Sequence, residues 1–286
     1  MTDIDAQIQL GYQHHSRLSE FDRLVYPVVS RRSRGLSLGI NMNPDKRCNF
    51  DCVYCQVERE GRLPPRAPDL TQLEQELRFW LERIAGEGFR GYPLRDIALA
   101  GDGEPSVVRE LPAVLSLLRR LKQEFRLQGV RLVLFTNGSG LERADLVAEW
   151  DGFYAADGEV WFKLDYWDQA SLEALNRTRL RCDRLLATLD RFAARYPVTL
   201  QSCFFNWGDI PFRVEDYAGY RDCVKERLKQ GCRITKIQAY TLARQPTESA
   251  AKAWGDEEMR CLGAFLRQQL PVPLELYFER GEAAEN

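Results

Sequence analysis

Apolar, β-rich runs alternate with runs of helical period through most of the chain, and this alternation constrains the fold more than any other feature. "LSLGINM" (36–42) reads as a first strand, and a helix follows in which Leu70, Leu73, Leu77, Trp80 and Ile84 share one face behind Asp69 as N-cap. "DIALA" (96–100) precedes a helix with Leu111, Leu115, Leu118, Leu121 and Phe125 in register, and "VRLVLF" (130–135) precedes one predicted from Leu141 to Trp150. "EVWFKL" (159–164) leads to helices around Leu172 and from Arg184 to Arg195, and "VTLQSCFF" (198–205) to a helix carrying Tyr217, Tyr220, Val224 and Leu228. "ITKIQAY" (234–240), with a helix from Met259 to Leu266, completes a sixth unit, and "LELYF" (274–278) adds an edge strand. Six successive βα units imply an α/β fold with parallel strands and right-handed crossovers, either a doubly wound sheet or a partial barrel. At 286 residues and 44% hydrophobic content the chain suits one large domain over residues 31–286, with residues 1–30 as an N-terminal extension.

In such folds the chemistry gathers at the C-terminal ends of the strands. Strand one runs into "CNFDCVYC" (48–55), strand two into "GDGEP" (101–105), strand three into "TNGSG" (136–140), and strand four carries "KLD" (163–165). The unusual motifs therefore share one rim. Three thiolates on a short loop suit zinc or an iron–sulfur cluster, and structural zinc needs a second pair of ligands. The only histidines, His14 and His15, lie far upstream, and Cys182, Cys203, Cys223, Cys232 and Cys261 are scattered among apolar or helical surroundings that suit packing roles. A cubane cluster held by Cys48, Cys52 and Cys55 leaves one iron open to a ligand the protein does not supply.

C-x3-C-x2-C after a first strand, with Tyr54 just before the last cysteine, resembles the radical S-adenosylmethionine (radical SAM) superfamily. The resemblance covers roughly residues 30–280 and implies a partial (βα)6 barrel, a [4Fe-4S] cluster on Cys48, Cys52 and Cys55, and SAM chelating the open iron. It further implies reductive cleavage of SAM to methionine and a 5′-deoxyadenosyl radical that abstracts hydrogen from a substrate. More narrowly, "SRRSRGLSLGINMNPDKRCNFDCVYCQVER" is similar to the radical SAM proteins grouped with the tRNA-wybutosine synthesis enzyme. The sequence carries neither a flavodoxin-like domain nor a second cysteine group, both found among those enzymes.

Gly101, Asp102, Gly103 and Glu104 resemble the family's Gly-Gly-Glu motif, whose backbone carbonyls accept the SAM ammonium, although Asp102 stands where the motif has glycine. An ordinary turn is the other reading of that stretch. Lys163 and Asp165, two apart, face the same side of their strand, where they would serve the SAM carboxylate and ribose or satisfy one another. By family position Gln201 and Tyr240 are ribose and adenine contacts, and Asn137 in "TNGSG" stands where a ligand could approach the backbone.

Forty basic against 42 acidic residues give a net charge of −2, so only a local patch would draw nucleic acid. Arg31, Arg32 and Arg34, and the run Arg177, Arg179, Arg181 and Arg184, are either a solvated surface or a contact for RNA or a phosphorylated substrate. No apolar run approaches the ~18 residues of a membrane span and no leader is evident, which predicts a cytoplasmic protein. With no flavin motif, the low-potential electron is expected from flavodoxin or ferredoxin. Two other functions remain open: activation of a glycyl-radical partner, and an iron–sulfur RNA-binding or redox-sensing protein that does not turn SAM over.

Overall fold

The computed structural model of the chain describes residues 22–59, 64–87, 89, 91–209 and 212–279. Most of the expected extension, with His14 and His15, lies outside them. The chain forms two compact units, one from the segments up to Cys48, Gly61–Phe135 and Arg143–Glu159, the other from Asn49–Glu60, Thr136–Glu142 and Val160 onward.

The first unit holds β1 (Val25–Ser30), β2 (Gly35–Ile40), α1 (Leu70–Glu87), β3 (Leu94–Leu99), α2 (Leu111–Glu124), β4 (Arg131–Thr136), α3 (Ala144–Val147) and α4 (Trp150–Ala155). β2, β3 and β4 run parallel in that order, because each is followed by helical sequence that must cross back over the sheet. One strand face buries Leu36, Leu38, Ile40, Ile97, Leu99, Leu132 and Leu134; of the predicted stripes, Leu73, Leu77 and Trp80 of α1 and Leu111, Leu115, Leu118 and Leu121 of α2 are buried, whereas Leu70 is exposed and Ile84 and Phe125 are half-buried. Each of the buried side chains contributes about 1.5–3 kcal/mol. Asp69 caps α1 as expected, its Oδ1 accepting from the Thr71 and Gln72 amides at 2.8 and 3.1 Å. The other face carries Ser37, Asp96 and Arg131 in register. Ser37 Oγ donates to Asp96 Oδ1 at 2.5 Å, and Arg131 Nη2 lies 3.5 Å from Asp96 Oδ2.

Two features differ from expectation here. Residues 25–30, read as part of the extension, form β1, which pairs antiparallel with β2. Pro27 masks the strand pattern and is tolerated because β1 is an edge. The single helix expected from Leu141 to Trp150 is two short ones, α3 and α4. Arg143 is drawn off to the carbonyls of Ser106 and Val108, at 3.0 and 2.6 Å, and the break at Ala148 and Glu149 lets Leu146, Trp150 and Phe153 all be buried.

The second unit holds β5 (Gly158–Lys163), α5 (Gln169–Asn176), α6 (Cys182–Arg195), β6 (Val198–Cys203), β7 (Phe205–Trp207), α7 (Ala218–Lys229), β8 (Ile234–Tyr240), β9 (Ala251–Ala253), α8 (Asp256–Arg267) and β10 (Leu274–Tyr277). Parallel pairing runs β5, β6, β8, β10, with β10 at the edge as predicted. β7 and β9 form a small antiparallel ribbon that the sequence reading merged into strand five and a loop. α5 is fixed at its start by a reciprocal Asp168–Ser171 capping box and ends where Arg177 turns left-handed. Val160, Phe162, Leu200, Ile237 and Leu276 bury one strand face. On the other, Lys163, Gln201, Gln238 and Glu275 stand in one row across four strands.

The expected α/β class and its six-fold βα succession are both observed. Among the described residues, no helix is long and apolar enough to cross a membrane.

Candidate functional site

In the first unit, β2 runs out into Asn41–Cys48 and β3 into "GDGEP". Asn41 ties these two exits together: its Nδ2 donates to Asp102 Oδ2 at 2.7 Å, and its Oδ1 accepts from the amides of Asp102 and Asn43, both at 3.1 Å. The glycines are required by close approach. A Cβ on Gly101 would stand 2.4 Å from Asn41 Oδ1, and one on Gly103 would stand 1.9 Å from the Arg47 carbonyl oxygen. Glu104 accepts from the Ser106 amide at 2.9 Å and caps a 3-10 turn. Asp102 therefore occupies the motif's second position with a definite partner, and the backbone these glycines admit includes the chain's own approach to Cys48.

In the second unit the cysteine loop is held from several directions. The amides of Asp51 and Val53 donate to the Asn176 and Leu175 carbonyls at the end of α5, at 2.9 and 3.0 Å. Val53 packs with Cys203, Phe205, Leu242 and Ala251. The Cys55 carbonyl accepts from both the amide (2.9 Å) and hydroxyl (3.1 Å) of Thr247. Asn137 belongs to the same assembly: its Nδ2 donates to Asn49 Oδ1 at 2.9 Å while its Oδ1 accepts from the amide and hydroxyl of Ser139, so this predicted residue braces the loop.

Four predicted residues meet beside that loop. Tyr54 donates its hydroxyl to Asp165 Oδ2, and Lys163 donates to the Tyr240 hydroxyl. Lys163 Nζ lies 3.2 Å from Asp165 Oδ2 and sits over both rings, 5.0 Å from the Tyr54 centroid and 4.8 Å from that of Tyr240. Asp165 also accepts from the Cys203 amide at 2.6 Å. Burial first, then the Asp165 charge, hold the Tyr54 phenol well above its ordinary value, so it stays a donor. Burial is the largest single influence and works against the Lys163 charge, but Asp165, Tyr240 and Cys203 together outweigh it, and the ammonium is held above the usual lysine range. Lys163 and Asp165 do satisfy one another, as one sequence reading had it. Gln201 stands in register with Lys163, but its Nε2 donates to Gln238 at 2.9 Å and its fully buried Oε1 has no hydrogen-bond partner.

All eight cysteines are thiols. Burial pushes Cys182 and Cys223 up to about 11 and Cys232 to about 12, the condition of packing residues. The loop cysteines are half-exposed, and N–H donors meet the sulfurs of Cys52 and Cys55. Cys55 Sγ accepts from the Val57 amide at 3.5 Å and Arg59 Nη2 at 3.6 Å, and Cys52 Sγ accepts from Asn176 Nδ2 at 3.2 Å. Among the described residues, no three His, Cys, Asp or Glu side chains converge as a single-ion site. One ion draws all its ligands to about 2.3 Å, whereas a cluster takes each thiolate on a different iron. The donor set fits the iron–sulfur group. Arg59 and Asn176 were not anticipated; the available sign for Asn176 was a polar residue ending the helix after "KLD".

Of the arginines, Arg177 pairs with Glu248 and lies 5.6 Å over the Trp207 ring, Arg181 pairs with Asp183, and Arg32 lies 5.7 Å over Phe135.

No family model matches the chain. It is similar to a UPF0026 protein of Methanocaldococcus jannaschii, 28% identical over 79% of this chain and 65% of the relative. It is also similar to a GTP 3′,8-cyclase of Rhodopseudomonas palustris, 40% identical over 34% of this chain and 25% of the relative. The chain thus spans less than two thirds of either. A solved spore photoproduct lyase variant aligns with a TM-score of 0.49 at 13% identity, over 81% of this chain and 73% of that one.

Proposed function

We propose that this chain is a radical SAM enzyme in which Cys48, Cys52 and Cys55 hold a [4Fe-4S] cluster with one iron left for SAM. The observation that carries this reading is the pair of loop sulfurs met by N–H donors, Cys52 by Asn176 and Cys55 by Val57 and Arg59, an environment suited to cluster thiolates. The similarity to a UPF0026 protein and a GTP 3′,8-cyclase accords with it. When bound, the cluster would supply the electron that cleaves SAM.

The chain's own part is to bind and orient. Lys163 presents a cation for the SAM carboxylate, and Asp165 an acceptor for ribose hydroxyls, each exchanging a contact it now makes with the other. Tyr240 and Gln201 extend that polar face, with the Gln201 Oε1 offering an unused acceptor. Gly101, Asp102, Gly103 and Glu104 turn their backbone for the SAM ammonium, while Tyr54 and Asn137 hold the cysteine loop in place. An external flavodoxin or ferredoxin delivers the electron. The exposed Arg179 and Arg184 suit a phosphorylated or RNA substrate.

The test is anaerobic reconstitution followed by SAM and dithionite. About four iron and four sulfide per chain, with release of 5′-deoxyadenosine that is lost in Cys52→Ala, is the expected result. An intact, reduced cluster that never cleaves SAM would leave an iron–sulfur sensor instead.

A further inference from the structure

Asn176 is the last residue of α5 and is 1% exposed, yet only half of its amide is used. Its Nδ2 reaches Cys52 Sγ at 3.2 Å and the Tyr54 hydroxyl at 3.4 Å, while its Oδ1 makes no hydrogen bond. The orientation of the amide follows from its neighbours: Tyr54 spends its proton on Asp165, so its oxygen can only accept, and the NH2 end must face it. A buried amide with an unmet acceptor costs stability, and the adjoining backbone already secures the loop through the Leu175 and Asn176 carbonyls. Fold stability therefore gives no reason for this side chain. Its contact with a loop sulfur does.

We propose that Asn176 is a positioning residue for the iron–sulfur site, one that fixes the Cys52 side chain and raises the reduction potential of the cluster by donating to its sulfur. This rests on the function proposed above. An N–H dipole aimed at a ligand sulfur stabilises the more negative, reduced state, so removing it lowers the potential. Asn176→Leu keeps the bulk without the donor, and Asn176→Asp replaces the donor by an acceptor that carries or can acquire negative charge.

The experiment is a redox titration of reconstituted wild type, Asn176→Leu and Asn176→Asp, read by electron paramagnetic resonance, with thermal melting of each apoprotein alongside. The expected order of reduced fraction at one fixed poise is wild type, then Leu, then Asp, with about a tenfold change in the reduced-to-oxidised ratio for Leu, or ~59 mV for one electron. The Leu variant should melt no lower than wild type. A variant that melts normally but holds no cluster also supports the positioning role. Equal potentials in all three proteins, or an Asn176→Leu apoprotein that melts well below wild type, overturn the inference and leave the function standing. Wild-type protein that takes up no cluster overturns both.

Discussion

Asp96 and Asp165 are chemically alike: both are buried, both lie on or just past a strand, and both have a cation and a hydroxyl as neighbours. Asp96 stands near the start of β3, and Ser37 and Arg131 reach it from the two adjoining strands. Asp165 lies two residues beyond the end of β5, and its partners include Tyr54 from the cysteine loop and the Cys203 amide. Register alone assembles the first group, because neighbouring parallel strands deliver their side chains together. The second depends on where a loop comes to rest. The difference teaches that the same trio can be a clasp set by strand register at one end of a strand and one that depends on a loop at the other.

The comparison predicts unequal responses to mutation. The largest belongs to Asp165→Ala, which strips the acceptor from Lys163, Tyr54 and the Cys203 amide at once. Denaturant unfolding should show a loss of about 3–5 kcal/mol, as for other broken buried pairs; a loss below about 1 kcal/mol would mean that this group is no tighter than a surface pair. Lys163→Met leaves Asp165 with two of its three partners, so about 1–3 kcal/mol is expected. In reconstituted protein it should weaken SAM binding ten- to a hundredfold by equilibrium titration at unchanged iron content, and unaltered affinity would return Lys163 to a purely structural role. Tyr54→Phe removes the hydrogen bond to Asp165 and the longer one accepted from Asn176 while keeping the ring beside Phe205, 5.3 Å between centroids, and should cost about 1–2 kcal/mol.

The smallest effect sharpens the other side of the comparison. Burial raises the Asp96 pKa despite the hydrogen bonds from Ser33 and Ser37 and the Arg131 charge. A carboxyl with a raised folded pKa favours folding most below its unfolded value of about 3.9, and that contribution is lost as pH rises through the folded value. Asp96→Asn should therefore abolish this gain on acidification. Its stability difference from wild type, followed by unfolding from neutral pH to about pH 4, should change in wild type's favour as pH falls. A difference constant with pH would show that the clasp does not sense protons.

The sequence made the strand ends legible because hydrophobic period and cap chemistry are local. Asp69 caps α1, and "ITKIQAY" forms β8 residue for residue. Pro27 hid β1, and the Arg143 contacts that help divide the helix after β4 involve carbonyls 35 and 37 residues away. At the site, spacing paired Lys163 with Asp165, and the family resemblance added Tyr54 and Tyr240; the four meet. What spacing could not supply was the direction of each bond. Gln201 turns to Gln238, Asp102 to Asn41, and Asn176 toward a sulfur, choices fixed by elements many residues distant.

The fastening of Cys55 to Thr247 spans 192 residues of chain. During synthesis the cysteines emerge early, whereas α5, Cys203 and Thr247, which shape their loop, follow much later. A growing chain stopped before Thr247 lacks the hydroxyl and amide that hold the Cys55 carbonyl. Iron offered to such a chain would meet these thiols before the Thr247 contact to their loop exists.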